Sequence, residues 1–148
     1  MTGQLNRQRV LKLLEMYYAG DLDGVLAQCS DDIDHFVSAP IDILPHLGAR
    51  RGKAEVRQMW ETVHGRYTDM RHEVRALVAE DDQVAADLRV FFRKRSNGRM
   101  LQFDMAIFLT WHDGRVVRIR EIIDTFDMLQ QVIERDLSTL MMNELSKG

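Results

Sequence analysis

The sequence predicts an α+β domain: helices gathered in the first half of the chain, then a curved antiparallel sheet. Three observations predict it. Apolar residues recur at helical spacing as far as His64, and beyond that point they alternate with period two. The joints between the alternating stretches, EDD, SNG and HDG, are short, polar turns, two of them with glycine, typical of hairpins. A sheet of this length folded over the helices would enclose a cone with an open mouth.

Each element follows in order. From Asn6 to Ala19, the residues Val10, Leu11, Leu13, Leu14, Tyr17 and Tyr18 form a helical stripe that stops at Gly20. Asp21 is placed to cap a short second helix through Leu22, Val25 and Leu26. Ile33 to Ser38 reads as a brief strand, and Pro40 and Pro45 frame the loop that follows. Lys53 to His64 reads as a third helix with Val56, Met59, Trp60 and Val63 on one side. Four strands are expected next: His72 to Ala79, Val84 to Arg93, Met100 to Trp111 and Arg115 to Ile123. Asp124 is read as the N-cap of a last helix running from Thr125 towards Leu145.

Composition narrows the function classes. A length of 148 residues suits one domain, and 45% hydrophobic with 29% charged residues is a globular balance. A net charge of -3 with no long basic run gives no attraction to nucleic acid. No stretch is apolar enough to cross a membrane or to serve as a secretory leader, so a cytoplasmic protein is expected. One cysteine, Cys29, excludes an internal disulfide. The five histidines lack metal-ligand spacing and no phosphate-binding loop occurs, so neither a metal nor a cofactor is expected.

The stretch RVVRIREII carries the main question. Residues two apart on a strand share a face. Alternation therefore puts Val117, Ile119, Glu121 and Ile123 in one row, with Val116, Arg118, Arg120 and Ile122 opposite. A carboxylate in an apolar row is costly without a partner. Glu121 is then either a pocket acid or half of an ion pair with arginine at a sheet edge or dimer contact. On DIDHFVS the same parity groups Ile33, His35 and Val37.

The order of elements, with AGDLDGVLAQCSDDI, RRGKAEVRQMW and DGRVVRIREIIDTFDMLQQV, resembles the SnoaL-like domains of the nuclear transport factor 2-like superfamily. That superfamily includes polyketide cyclases, steroid Δ-isomerases and limonene epoxide hydrolase. The resemblance spans about Val10 to Val132 and implies a cystatin-like roll, a cone-shaped ligand pocket and a homodimer. It also matches Glu121 to a pocket carboxylate of limonene epoxide hydrolase, and His35 to a pocket tyrosine there. Two positions depart from the pattern. Val37 stands where the hydrolase has an asparagine and the isomerases an aspartate, and Leu13 falls near the isomerase's first-helix tyrosine.

Acid/base chemistry of this type uses a carboxylate in an apolar cavity, where desolvation raises a carboxyl group's pKa towards neutrality. Glu121 and His35 are therefore the candidate catalytic residues, the histidine as donor or orienting group. Tyr17, Trp60, Val37 and Ile119 are expected to contact a ligand. Asp87 and Arg89, two apart on VAADLRVFF, could be a reversed form of the hydrolase's Arg-x-Asp pair and are added to that set. A register shift of one would instead turn Leu88, Val90 and Phe92 inward. Asp104 shares this ambiguity with the row Met105, Ile107, Leu109 and Trp111. The expected function is a cofactor-free isomerase, cyclase or hydrolase acting on a small apolar or polyketide-like molecule. A non-catalytic ligand-binding or dimerisation domain is the alternative.

Overall fold

Helix α1 (Thr2–Tyr18) turns Asn6, Val10, Leu13 and Leu14 inward, a stripe of helical period, in a computed structural model that describes residues 2–148. Its end is a Schellman motif: Gly20, at φ 86°, donates to the Tyr17 carbonyl, and Asp21 N–H donates to Met16. The Asp21 carboxylate then caps α2 (Leu22–Ala27) by accepting from Gly24 N–H at 2.9 Å. Strand β1 (Cys29–Val37) and the short β2 (Ala49–Arg51) lead to α3 (Lys53–Arg66), which buries Val56, Met59, Trp60 and Val63. The long strands β3 (Tyr67–Glu80), β4 (Gln83–Lys94), β5 (Met100–His112) and β6 (Arg115–Ile123) follow. Asp113 and Gly114, both at positive φ, make the two-residue turn between the last two.

The sheet order is β2-β1-β6-β5-β4-β3. It is a mixed sheet, which corrects the all-antiparallel expectation, because β1 runs parallel to β6 while the other pairs are antiparallel. The short β2, helix α3 and the strands β3 to β5 intervene between those two strands, and β6 comes back beside β1 in the same direction.

The long closing helix is also corrected. Two helices are present, α4 (Thr125–Ile133) and α5 (Ser138–Leu145), separated where Glu134 adopts a left-handed φ of 59°. Asp124 caps α4 as expected, accepting from Asp127 N–H.

Strand parity sets what faces the helices. On β4 the inward row is Val84, Ala86, Leu88, Val90 and Phe92, and on β5 it is Leu101, Phe103, Met105, Ile107, Leu109 and Trp111. On β6 a bulge intervenes. Trp111 pairs with Val116 and Thr110 with Arg118, leaving Val117 unpaired between them. Val116 therefore points into the core and Val117 does not, reversing their expected faces; Ile119, Glu121 and Ile123 keep theirs.

Candidate ligand pocket

The helices and the inward rows of the sheet enclose an apolar cavity of about 100 Å³. Its walls come from α1, α3, β1, the inner rows of β4 to β6 and the inner side of α4. Glu121 is one of its few polar lining residues, and His35 is another.

The parallel register brings these two together. His35 lies beside Ile119 and Val37 beside Glu121, all on the inward face. From its place on β1, His35 reaches diagonally to bring Nε2 within 3.3 Å of Glu121 Oε1. The histidine side chain is 1% exposed and the glutamate 19%, so the acid looks into the cavity and the imidazole sits behind it. Neither ring nitrogen of His35 has an aligned hydrogen-bond partner. Such orphaned buried groups are rare in folded proteins and mark places where another polar group is wanted.

Aromatic rings continue from the pair towards the outside. The His35 ring meets Trp60 edge-on at 5.8 Å, and Trp60 meets Tyr17 at 5.5 Å. Tyr17 contacts Tyr18 and His64 in the same T-shaped manner. Burial holds both phenols well above their usual pKa, and the Glu121 charge adds to the effect. Each therefore stays a neutral hydroxyl. Burial also pushes the Cys29 thiol to about 11, keeping it protonated. His46, on the loop after β1, has its pKa lowered by desolvation and by Arg66 and Arg50, so its neutral form dominates.

Of the residues expected at the site, Glu121, His35, Tyr17, Trp60, Val37 and Ile119 all line this cavity. Asp87 and Arg89 do not. They lie on the outer face of β4, where Arg89 pairs with Asp104 at 3.0 Å, because the row Val84 to Phe92 turns inward instead. Tyr18, His46, Tyr67 and Phe92 line the cavity as well, beyond the residues that the sequence points to. Phe92 was legible in the alternative row of β4, whereas the loop carrying His46 has no periodicity to read. Among the described residues no cluster of three or more His, Cys, Asp or Glu is arranged to hold a metal. No helix among them is long and apolar enough to cross a membrane.

Residues 10–119 match the SnoaL-like domain family. Among solved structures, a candidate isomerase from Rhodopseudomonas palustris is 26% identical, over 83% of this chain and 91% of its own, with a TM-score of 0.75. TerC, co-crystallised with polyporic acid, is 19% identical over 86% of this chain and 98% of its own, with a TM-score of 0.77. An epoxide hydrolase of the limonene type from M. tuberculosis is 17% identical over 90% and 93%, with a TM-score of 0.69. The last two likenesses are of fold. No protein of curated function matches the sequence.

Proposed function

Since the chain belongs to the SnoaL-like domain family, within the nuclear transport factor 2-like superfamily, we propose that it is a cofactor-free acid/base enzyme acting on a small apolar molecule. One observation carries the reading: a buried histidine with no aligned hydrogen-bond partner stands 3.3 Å from the acid of an apolar cavity. Glu121 is the proton shuttle. His35 orients it and supplies or accepts the second proton. Tyr17 and Tyr18, kept neutral, are hydroxyl donors for oxygen that becomes negative during the reaction.

Three reactions suit this set. The carboxylate can take a proton from carbon beside a carbonyl and return it elsewhere, an isomerisation. The same enolate can attack a second carbonyl, an aldol cyclisation. The carboxylate can also take a proton from water as that water opens an epoxide. The likeness to a candidate isomerase supports the first of these. Incubating the protein with a panel of small ketones, β,γ-enones and epoxides, followed by NMR, tests the proposal. Conversion of at least one class above the protein-free rate is expected. No conversion of any class would leave a ligand-binding domain.

A second reading, non-catalytic binding, draws on Val37. An apolar side chain lies directly beside Glu121, where related enzymes carry an amide or acid. Retained ligand binding without turnover would favour it. In either case we propose a homodimer joined through the outer face of the sheet, where Phe108 and Ile122 are exposed and Arg120 lies over the Phe36 ring at 4.6 Å. Val116, expected on that face, is in the core.

A further inference from the structure

We infer that the cavity discriminates by charge and that its ligand is a small apolar molecule bearing a basic amine. The inference rests on the cavity being the ligand site, and holds whether or not the bound molecule is then transformed.

No lysine or arginine lines the cavity, and Glu121 is its one carboxylate among the described residues. The other titratable groups facing it are Tyr17, Tyr18, Tyr67, Cys29, His35 and His46. Phenols and a thiol can contribute only negative charge. His46 is held in its neutral form by desolvation and by Arg66 and Arg50. That leaves the His35 and Glu121 pair, which holds the one carboxylate of the lining.

The cations nearby are already engaged outside the lining. Lys94 donates from Nζ to the Val132 carbonyl at 2.7 Å and to Glu134 at 3.0 Å. Arg50 donates to the carbonyls of Ala49 and Pro45, and Arg66 is exposed at the end of α3. A ligand carboxylate or phosphate would therefore lose its water with no counter-ion to meet it, a heavy penalty in an apolar site. An ammonium finds the opposite situation. Glu121 is a carboxylate without a lysine or arginine partner, and the rings of Trp60 and Tyr17 continue from it. Aromatic faces attract cations, most strongly where water is excluded.

The cavity of about 100 Å³ favours a small ligand.

Calorimetric titration of the intact protein at pH 7.5 with benzylamine, benzyl alcohol and benzoate tests the inference. Benzylamine is expected to bind about tenfold more tightly than the isosteric alcohol, and benzoate not measurably. Glu121→Gln should remove the amine preference and leave the alcohol's affinity within about threefold, which also shows that the variant is folded. Benzoate binding as tightly as benzylamine would overturn the inference, as would an amine preference that survives Glu121→Gln, or failure of all three probes to bind. Turnover is scored separately. Amine-selective binding without turnover removes the catalytic reading alone, and turnover of a neutral ketone without amine preference removes this inference alone.

Discussion

His35 Nε2 stands 3.3 Å from Glu121 Oε1, although the two residues are not cross-strand partners. The parallel β1–β6 register pairs His35 with Ile119 and Glu121 with Val37. The histidine therefore reaches the acid on the diagonal, and an apolar side chain occupies the position directly beside it. The pair is close but not locked, which leaves each partner free to bond with a ligand.

That looseness has a stability consequence. Both His35 ring nitrogens lack aligned partners in a side chain that is 1% exposed, and an unsatisfied buried polar group costs about 1–3 kcal/mol. Phenylalanine has a similar shape and no polar atoms. His35→Phe is expected to raise the melting temperature by about 3 °C for each kcal/mol recovered, while any turnover falls. Calorimetry showing a melting point lowered by several degrees would contradict the reading of His35 as functional rather than structural.

The α4 wall of the cavity is held from outside. Lys94 bonds Val132 and Glu134, Asn97 and Arg99 also meet Glu134, and the Gln131 amide pairs with both backbone groups of Gln102 at 2.8 Å. The Asn97 and Lys94 hydrogen bonds lower the Glu134 pKa from its ordinary 4.5. A folded-state pKa below the unfolded value gives stability that is complete above the unfolded value and is lost as pH falls through the folded one. Hydrogen exchange in α4 should therefore accelerate relative to β5 as pH drops below 4.5, after correction for intrinsic rates. Lys94→Met, which removes one of those bonds, should weaken that pH dependence. An α4 that opens no faster in acid would show that the latch does not depend on the ionised Glu134.

Asp87 and Arg89 provide a contrast. Both lie on the outer face of β4, away from the cavity. Asp87→Ala is expected to change stability by no more than about 0.5 kcal/mol and ligand affinity by less than about twofold. A tenfold loss of affinity in titration would place the ligand on the other side of the sheet.

The proposed dimer is tested on that same face. Phe108 is 47% exposed at its centre, with Ile122 also exposed on the next strand. Sedimentation at micromolar concentration is expected to give a dimer for the wild type and a monomer for Phe108→Asp. A wild-type monomer would remove the interface.

Much of this was legible in the sequence, for local reasons. The bounds of β6, the Asp124 cap and the inward parity of Ile33, His35 and Val37 depend on neighbours close in the chain, and there sequence and structure agree. Val117 departs from its expected face because the bulge opposite Trp111 depends on how two strands meet, which alternation within one strand does not record. The parallel pairing of β1 with β6 is likewise a contact between distant segments. β2 is only three residues, Ala49–Arg51, too short to show a period. Within the site, Glu121 was conspicuous as an acid in an apolar row, whereas His46 sits on a loop whose direction only the fold decides.

The central claim is that Glu121 moves protons, and exchange of the α-hydrogens of cyclohexanone in D2O, followed by NMR, measures that most directly. The wild type is expected to accelerate exchange above the protein-free rate. Glu121→Gln should fold with a similar melting temperature and lose about two to four orders of magnitude of that acceleration, the usual contribution of a general base. Equal acceleration by both proteins, or none by the wild type, would contradict the account.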